Sequence, residues 1–187
     1  PVLPRGCGTS LAGHTVGDAL HVDFSKYMNR ILEVDLEERW VRVEPGVVLD
    51  ELNAFLRPHG LLFAPDVATS SRANIGGMIG NNSCGAHSII HGKTIDHVLE
   101  LGIVLSDGSL IFTRPVSEAE RQLKEQAQDF EGSIYRQVRE TLRDHEAEID
   151  RRFPKILRRV SGYNLDALIG LDEGDSGDDY QFDLSKL

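Results

Sequence analysis

The spacing of apolar residues in the first part of the chain predicts three strands and one helix. Apolar and polar residues alternate over residues 19–24, 31–35 and 40–44, the period of two that places successive side chains on opposite faces of a strand. A short polar segment joins the last two strands and predicts a hairpin. Over residues 48–58 the apolar side chains instead recur at helical spacing, which predicts an amphipathic helix that Gly60 ends.

A second hairpin follows further along the chain. Apolar runs at residues 99–106 and 109–113 flank Asp107 and Gly108, a dipeptide typical of tight hairpin turns. The first half of the chain therefore predicts strands that are antiparallel wherever hairpins join them. This pattern differs from the strict strand–helix alternation of a doubly wound parallel sheet, so it disfavours a Rossmann-type fold.

The second half of the chain predicts helices. Ser117 with Glu120 forms a capping-box signature for a helix that reaches about residue 128. A longer helix is expected after Gly132, and Pro154 ends or kinks it. The apolar residues on one stripe of that helix are Ile134, Val138, Leu142, Ile149 and Phe153. The elements together predict an α+β fold, mostly antiparallel sheet with flanking helices.

The last part of the chain is polar. Arg158 and Arg159 leave two interpretations open, contact with an anionic ligand or simple exposure to solvent. Residues 172–183 hold six acidic residues and two glycines, a composition typical of a flexible connection. We therefore expect a helical segment over residues 115–170, then over residues 171–187 an acidic flexible connection and the start of a strand or loop.

The most unusual segment is residues 65–98, which is poor in charge and rich in glycine and small polar residues. Glycines at this density weaken helices and strands, but they let the backbone approach a flat or anionic group closely. A ligand-cradling loop is the interpretation that we favour. The alternative, a mobile surface loop, fits poorly because Ile75, Met78, Ile79 and Ile89 are too apolar for a solvated linker.

A second glycine-rich loop lies near the start of the chain, at residues 5–17. Successive backbone N–H groups in such a turn can converge on a phosphate, and the hydroxyls of Thr9 and Ser10 add donors. The spacing does not match the dinucleotide fingerprint G-x-G-x-x-G, because Leu11 stands where its third glycine would be. By itself this loop is weak support for phosphate binding.

Charge and cysteine content narrow the function further. The formal net charge of −10 disfavours nucleic acid and an anionic membrane surface as partners. No apolar run is long enough to span a bilayer. Cys7 and Cys84 form neither a metal-binding spacing nor a disulfide framework, which favours a cytoplasmic location. The acidic charge also leaves open an interaction domain that recruits a partner.

Several segments, taken in order, resemble one protein family. They are PRGCGTSLAGH, VRVEPGVVLDEL, PDVATSSRANIGGMIGNNSCGAHSIIHGKTIDHV and LGIVLSDG. The chain resembles the flavin-binding domain of the FAD-linked oxidases typified by vanillyl-alcohol oxidase and p-cresol methylhydroxylase. Within that family it is most similar to the D-lactate, glycolate and D-2-hydroxyglutarate dehydrogenase branch. RRVSGYNLDAL also resembles a segment of long bacterial members that carry an iron–sulfur domain.

The resemblance implies that residues 1–114 form the core of an FAD-binding domain, with a pyrophosphate loop at 4–14 and a flavin-lining segment at 65–98. In the first loop the implied cofactor-binding residues are Arg5, Gly6, Cys7, Gly8, Thr9, Ser10, Gly13 and His14. In the second segment they are Pro65, Asp66, Ile75, Gly76, Gly77, Asn81, Ser83, Cys84, Gly85, Ala86 and Gly92. Some relatives tether the flavin to a histidine in the first loop. Because the matching position here is Thr9, noncovalent FAD is expected.

The same resemblance implies oxidation of a small 2-hydroxy acid, with electrons passed to a separate acceptor. It also implies that the chain is incomplete at both ends, so the substrate site lies mostly outside it and no catalytic residue or metal ligand is assigned. An iron–sulfur cluster in a downstream domain is a candidate acceptor. Peripheral association of the full-length protein with a membrane is the alternative to a purely cytoplasmic location. The alternative function is a nucleotide- or phosphate-binding module without redox activity.

Overall fold

The computed structural model describes residues 1–156, 158–160, 162–169 and 182–187. The chain divides into two compact units, Pro1–His97 and Val98–Leu187, each with its own apolar core. Both units combine helices with a small amount of sheet, so the predicted α+β class is confirmed. The acidic run predicted to be flexible lies, up to Gln181, outside the described residues.

The first unit begins with two pairs of strands. Strands β1 (Val2–Arg5) and β2 (Leu20–Asp23) are parallel, whereas β3 (Ile31–Asp35) and β4 (Trp40–Val43) form the predicted antiparallel hairpin. No hairpin joins the parallel pair, so it does not conflict with the prediction of antiparallel strands at hairpins. Residues 6–19 join its strands, and a connection of this length can carry the chain back to the starting end of the pair, which a tight turn cannot do.

The predicted helix after the β3–β4 hairpin is also present. Helix α1 (Leu49–Leu56) continues into a 3-10 turn at Arg57–His59 and ends at Gly60, whose φ of 70° lies in the left-handed region that glycine tolerates best. The core of the unit consists of Val47, Leu49, Leu52, Leu56, Ala73, Ile75 and Met78. This core therefore joins α1 to the glycine-rich segment.

The glycine-rich segment is more ordered than the predicted loop. It contains α2 (Ile75–Gly80), the short helix α3 (Ser88–His91) and a 3-10 turn at Thr94–His97. Ile75 and Met78 on α2 are 5% and 2% exposed, respectively. Burial of these two side chains stabilises a helix that its glycines disfavour, because tertiary packing overrides intrinsic propensity.

The second unit opens with the second predicted hairpin, β5 (Leu101–Val104) and β6 (Leu110–Thr113), which is antiparallel. Helix α4 (Glu118–Gln126) follows, and the Ser117 hydroxyl accepts a hydrogen bond from the Glu120 N–H at 3.3 Å. The capping interaction that the sequence predicted is thus present at the start of α4.

Helix α5 (Phe130–Arg152) begins earlier than predicted. Its N-cap is Asp129, whose Oδ1 accepts a hydrogen bond from the Gly132 N–H at 2.7 Å. Gly132 therefore lies inside the first turn and does not precede the helix. A Cβ on Gly132 would lie 2.4 Å from the Ala127 carbonyl oxygen, so this glycine permits the close approach of the α4–α5 connection. The helix ends before Pro154, as expected.

The core of the second unit is centred on Tyr135, which is fully buried and which the predicted stripe missed. The Tyr135 and Phe182 ring centroids are 5.9 Å apart. Phe182 and Val116 exchange two backbone hydrogen bonds of 3.0 Å, so the segment 182–187 closes this core. The buried members of the core are Val116, Tyr135, Leu142, Ile149, Leu168, Phe182 and Leu184.

Arg159 has a structural partner. Its guanidinium binds both carboxylate oxygens of Asp166 and donates to Asn164 Oδ1 at 3.0 Å, beside the 3-10 turn Leu165–Ala167. The hydrogen bonds from Arg159 hold the pKa of Asp166 below its usual range.

Another 3-10 turn spans Leu184–Lys186. No helix in the described part of the chain is long and apolar enough to cross a bilayer.

The burial of Tyr135 predicts a measurable pH effect. Burial raises the pKa of Tyr135 to about 12, and the negative charges of Glu131, Glu120 and Asp183 add to the rise. Since the pKa is raised in the folded state, the phenol favours folding below its ordinary pKa of about 10. This contribution is lost as the pH rises towards about 12.

The tyrosinate absorbance of the wild type minus that of Tyr135→Phe gives the titration curve of Tyr135 alone. We expect the midpoint of this curve to lie near the raised pKa. The measurement is a spectrophotometric titration of both proteins. Tyr163→Phe is the control, because Tyr163 is 73% exposed. A midpoint for Tyr135 at the ordinary tyrosine pKa would contradict the burial of this side chain in the structure.

Candidate cofactor-binding site

The loop that follows β1 offers backbone donors. The Cys7 N–H donates to Asn74 Oδ1 at 2.6 Å, which fixes the start of the loop. Within the described part of the chain, the N–H groups of Gly8, Thr9 and Ser10 have no hydrogen-bond acceptor. Three consecutive N–H groups without an acceptor are suited to binding an anion such as a phosphate.

A positive charge lies close to these donors. A Cβ on Gly8 would lie 3.1 Å from an Arg5 Nη atom, so this guanidinium packs against the loop. Arg5 Nε donates to the Gly6 carbonyl at 3.1 Å and lies 3.8 Å from Asp23 Oδ2. Hydrogen bonds from Ser25, with a smaller contribution from Arg5, hold the pKa of Asp23 below its usual value. The loop thus combines a half-buried cation with N–H donors.

The far part of the loop is more exposed. Ser10 Oγ and His14 Nδ1 are 3.0 Å apart and form a local hydrogen bond. Gly13 has a φ of 72° and an open side, because no heavy atom lies within 4 Å of the position of a Cβ. Among the described residues, the hydrogen bond of His14 is with Ser10 of the same loop, and no atom of the second glycine-rich segment lies near the Cβ position of Gly13. Their predicted role in cofactor binding stays a prediction.

The glycines of α2 differ from one another in their surroundings. A Cβ on Gly76 would lie 2.5 Å from the Pro45 Cβ, so packing within the chain requires this glycine. Gly77 and Gly80 have no heavy atom within 4 Å of the Cβ position, and their φ angles lie outside the left-handed region. Neither packing nor backbone conformation explains these two glycines, although glycine disfavours a helix. Space for an external group beside α2 would account for them, which is the hypothesis that the Gly77 variant below tests.

A second contact fixes the loop after α2. Asp66 Oδ2 lies 2.8 Å from His87 Nδ1, and Asp66 Oδ1 accepts the His87 N–H at 3.2 Å. A Cβ on Gly85 would lie 1.7 Å from the Asp66 carbonyl oxygen, which no other residue could tolerate without a shift of the backbone. Partial burial opposes ionisation of Asp66, but its hydrogen bonds with His87 outweigh that effect and lower the pKa.

The other predicted residues of this segment contribute in different ways. Ile75 and Pro65 are buried, so only their backbone can face a ligand. The Ser83 carbonyl accepts hydrogen bonds from the Thr94 N–H and hydroxyl at 3.0 and 2.8 Å. Gly92 has a φ of 78°, and a Cβ there would lie 2.5 Å from Asp96 Oδ2. Asn81 and Ala86 are exposed, whereas Ser83, Cys84, Gly85 and Gly92 are half-buried.

Asn74 is a residue that sequence reasoning missed. Its side chain links the first loop to the second segment through Cys7, and it is 5% exposed. Gly46 and His87 were missed as well, although each contacts a residue of the two segments. The one sequence signal was the position of Asn74 directly before Ile-Gly-Gly, where an asparagine is usually read as an ordinary helix cap.

The two glycine-rich segments thus meet at Asn74, as the prediction of a shared ligand required. One segment supplies anion-binding N–H groups and a guanidinium, and the other supplies a helix with open glycine positions. These features suit a ligand that has both a phosphate group and a flat part. An α+β fold with such a site is what a dinucleotide-binding domain requires.

Comparison with known proteins specifies the family. The family model described as the FAD binding domain matches residues 1–114. D-2-Hydroxyglutarate dehydrogenase of Pantoea ananatis is 45% identical over 184 residues, 98% of this chain and 17% of that protein. The mitochondrial D-lactate dehydrogenase (cytochrome) 1 of Saccharomyces cerevisiae is 36% identical over 118 residues, 61% of this chain and 20% of that protein.

A solved structure agrees at the level of the fold. The carbohydrate oxidase of Microdochium nivale superposes with a TM-score of 0.56 at 23% identity, over 64% of this chain and 26% of that chain. The chain belongs to the FAD-binding domain family, and its cofactor is FAD. It spans 17% of the length of the Pantoea relative.

The contrast between Gly76 and Gly77 yields a test of the cofactor face. Gly77→Ala should leave the apoprotein as stable or up to about 1 kcal/mol more stable, because alanine suits a helix better than glycine. A methyl group that projects into the flavin space should cost about 1–3 kcal/mol of FAD binding. This corresponds to roughly a 5- to 150-fold rise in Kd.

Gly76→Ala is the matched variant one position away. Its methyl group would collide with Pro45, so it should lower the melting temperature of the apoprotein. Thermal unfolding of the apoproteins and titration with FAD measure the two effects. Unchanged FAD affinity in Gly77→Ala would show that this face of α2 does not contact the cofactor.

Proposed function

We propose that this chain is the FAD-binding part of a flavin-dependent dehydrogenase that oxidises D-2-hydroxyglutarate to the corresponding 2-oxo acid. The main support is the alignment with D-2-hydroxyglutarate dehydrogenase, which includes 98% of the chain and therefore both compact units. The alignment with D-lactate dehydrogenase includes only 61% of the chain. The greater extent of the first alignment favours a 2-hydroxydicarboxylic acid over D-lactate or glycolate as the substrate.

The residues of this chain bind and orient the cofactor. The N–H groups of Gly8, Thr9 and Ser10, with the Arg5 guanidinium, suit the pyrophosphate, and the open side of Gly77 suits a flat ring. FAD supplies the redox chemistry, since it accepts a hydride from the carbon that bears the hydroxyl group. The substrate proton acceptor and the carboxylate-binding residues belong to other parts of the protein in this proposal.

Three further properties are part of the proposal. FAD is held noncovalently, because Thr9 occupies the position that a tethering histidine takes in some members of the family. The electrons pass to a separate acceptor, for which an iron–sulfur cluster in a downstream domain is the candidate. A cytoplasmic location is consistent with two free cysteines, Cys7 and Cys84.

A substrate comparison in the complete protein that carries this chain tests the proposal. The protein should be purified with bound flavin, and the flavin should be released intact by denaturation, as noncovalent binding requires. With an artificial electron acceptor, kcat/KM for D-2-hydroxyglutarate should exceed that for D-lactate and glycolate by about tenfold or more, since tenfold needs only about 1.4 kcal/mol of differential transition-state binding.

Each outcome separates one part of the proposal from another. A higher kcat/KM for D-lactate or glycolate would contradict D-2-hydroxyglutarate as the substrate but not the role of the chain in FAD binding. Turnover of the L-enantiomer alone would also contradict the proposed substrate. A protein without flavin that binds ADP or NAD more tightly than FAD would favour the nucleotide-binding module without redox activity.

A further inference from the structure

The structure gives Asn74 a position that its sequence context does not explain. It is the N-cap residue of α2, where an asparagine side chain normally accepts a hydrogen bond from the first turn of the helix. Its side chain makes no such bond. The amide instead reaches two segments outside the helix, and only 5% of the residue is exposed. Hydrogen bonds to residues outside the helix therefore determine the orientation of this buried side chain.

Both ends of the amide are used. Oδ1 accepts the Cys7 N–H at 2.6 Å, and Nδ2 donates to the Gly46 carbonyl at 2.6 Å. These partners fix the orientation of the amide, because an N–H needs an acceptor and a carbonyl needs a donor. One side chain therefore connects the first glycine-rich loop, the turn before α1 and the start of α2.

The glycines at these contacts allow close packing, and one of them packs directly against Asn74. A Cβ on Gly6 would lie 2.3 Å from Asn74 Oδ1, so only glycine lets the amide approach the loop so closely. A Cβ on Gly46 would lie 2.2 Å from the Phe24 carbonyl oxygen. The loop thus has the glycine that the approach of Asn74 requires, whereas Gly46 lets its turn pack against the segment that contains Phe24.

The hydrogen bond to Cys7 also sets which N–H groups remain for a ligand. The Cys7 N–H is taken by Asn74, and the N–H groups of residues 8–12 that follow have no acceptor in the described structure. Asn74 also lies at the N-cap of α2, the helix that carries Gly77. We propose that Asn74 is a positioning residue for FAD, which holds the pyrophosphate loop in its binding conformation beside the flavin-facing helix. This inference rests on the FAD-binding role of the chain.

The test replaces Asn74 by serine in the complete protein that carries this chain. Serine is also a favoured N-cap residue, so α2 keeps a suitable start, but the shorter side chain cannot reach both Cys7 and Gly46. We expect the Kd values for FAD and for ADP, which share the pyrophosphate, to rise together by about tenfold or more. Titration of the apoprotein measures both constants.

Asn53→Ser is the matched control. Asn53 in α1 also uses both ends of its amide, since Oδ1 accepts the Phe63 N–H at 2.9 Å and Nδ2 donates to the Phe63 carbonyl at 3.3 Å. These bonds involve neither glycine-rich segment. The Asn53 variant should lose thermal stability but keep its affinities for FAD and ADP within about twofold, a difference of less than 0.5 kcal/mol.

The outcomes are distinct. Unchanged affinities in Asn74→Ser, with a wild type that binds FAD, would overturn the positioning role and leave the cofactor role intact. An Asn74→Ser protein that does not fold, while Asn53→Ser does, would also overturn it, because the residue would then serve folding alone. A wild-type protein that binds neither FAD nor ADP would contradict the cofactor role itself.

Discussion

The cofactor site of this chain depends on one buried amide. Asn74 provides an acceptor for the Cys7 N–H and a donor for the Gly46 carbonyl, so two backbone groups far apart in the sequence are satisfied by one side chain. Gly46 is buried, and a buried backbone carbonyl without a partner is costly, so the contact of the turn with the start of α2 is favoured. The hydrogen bond from the more exposed Cys7 adds the first loop to this arrangement. The apolar core beneath α2 gives the helix its position, and the amide relates that position to the first loop.

Five glycines of the two glycine-rich segments fall into two groups that have different causes. Gly6, Gly76 and Gly85 lie where a Cβ would strike another part of the same chain, so they are explained by internal packing. Gly77 and Gly80 face open space and have no need of a special backbone conformation. Since a glycine in a helix weakens it, a glycine without an internal reason indicates an external one. The chain belongs to the FAD-binding domain family, and FAD is the group that we propose for this space.

Local signals in the sequence were sufficient for local structure. The hairpin at Asp107 and Gly108 and the helix capped by Ser117 were predicted correctly, because the interactions that form them lie within a few residues. Long-range features were not predictable in this way. Asn74 was missed because its partners are decided by the fold. Tyr135 was missed because the predicted stripe consists of residues without a polar group, and a tyrosine carries a hydroxyl although it is buried here. The start of α5 was misplaced because Gly132 suggests a break, while Asp129 already caps the helix.

The pairing of Val116 with Phe182 has a consequence for the order of folding during synthesis. The two residues close the core of the second unit, yet the whole of α4 and α5 lies between them in the sequence. Contacts between distant residues form late, because a long loop must close before they contribute. The first unit, whose core residues end at Met78, can fold while the ribosome is still translating the second. The core of the second unit stays open, with its apolar side chains exposed, until Phe182 has left the exit tunnel. A chaperone would have an apolar surface to bind during this interval.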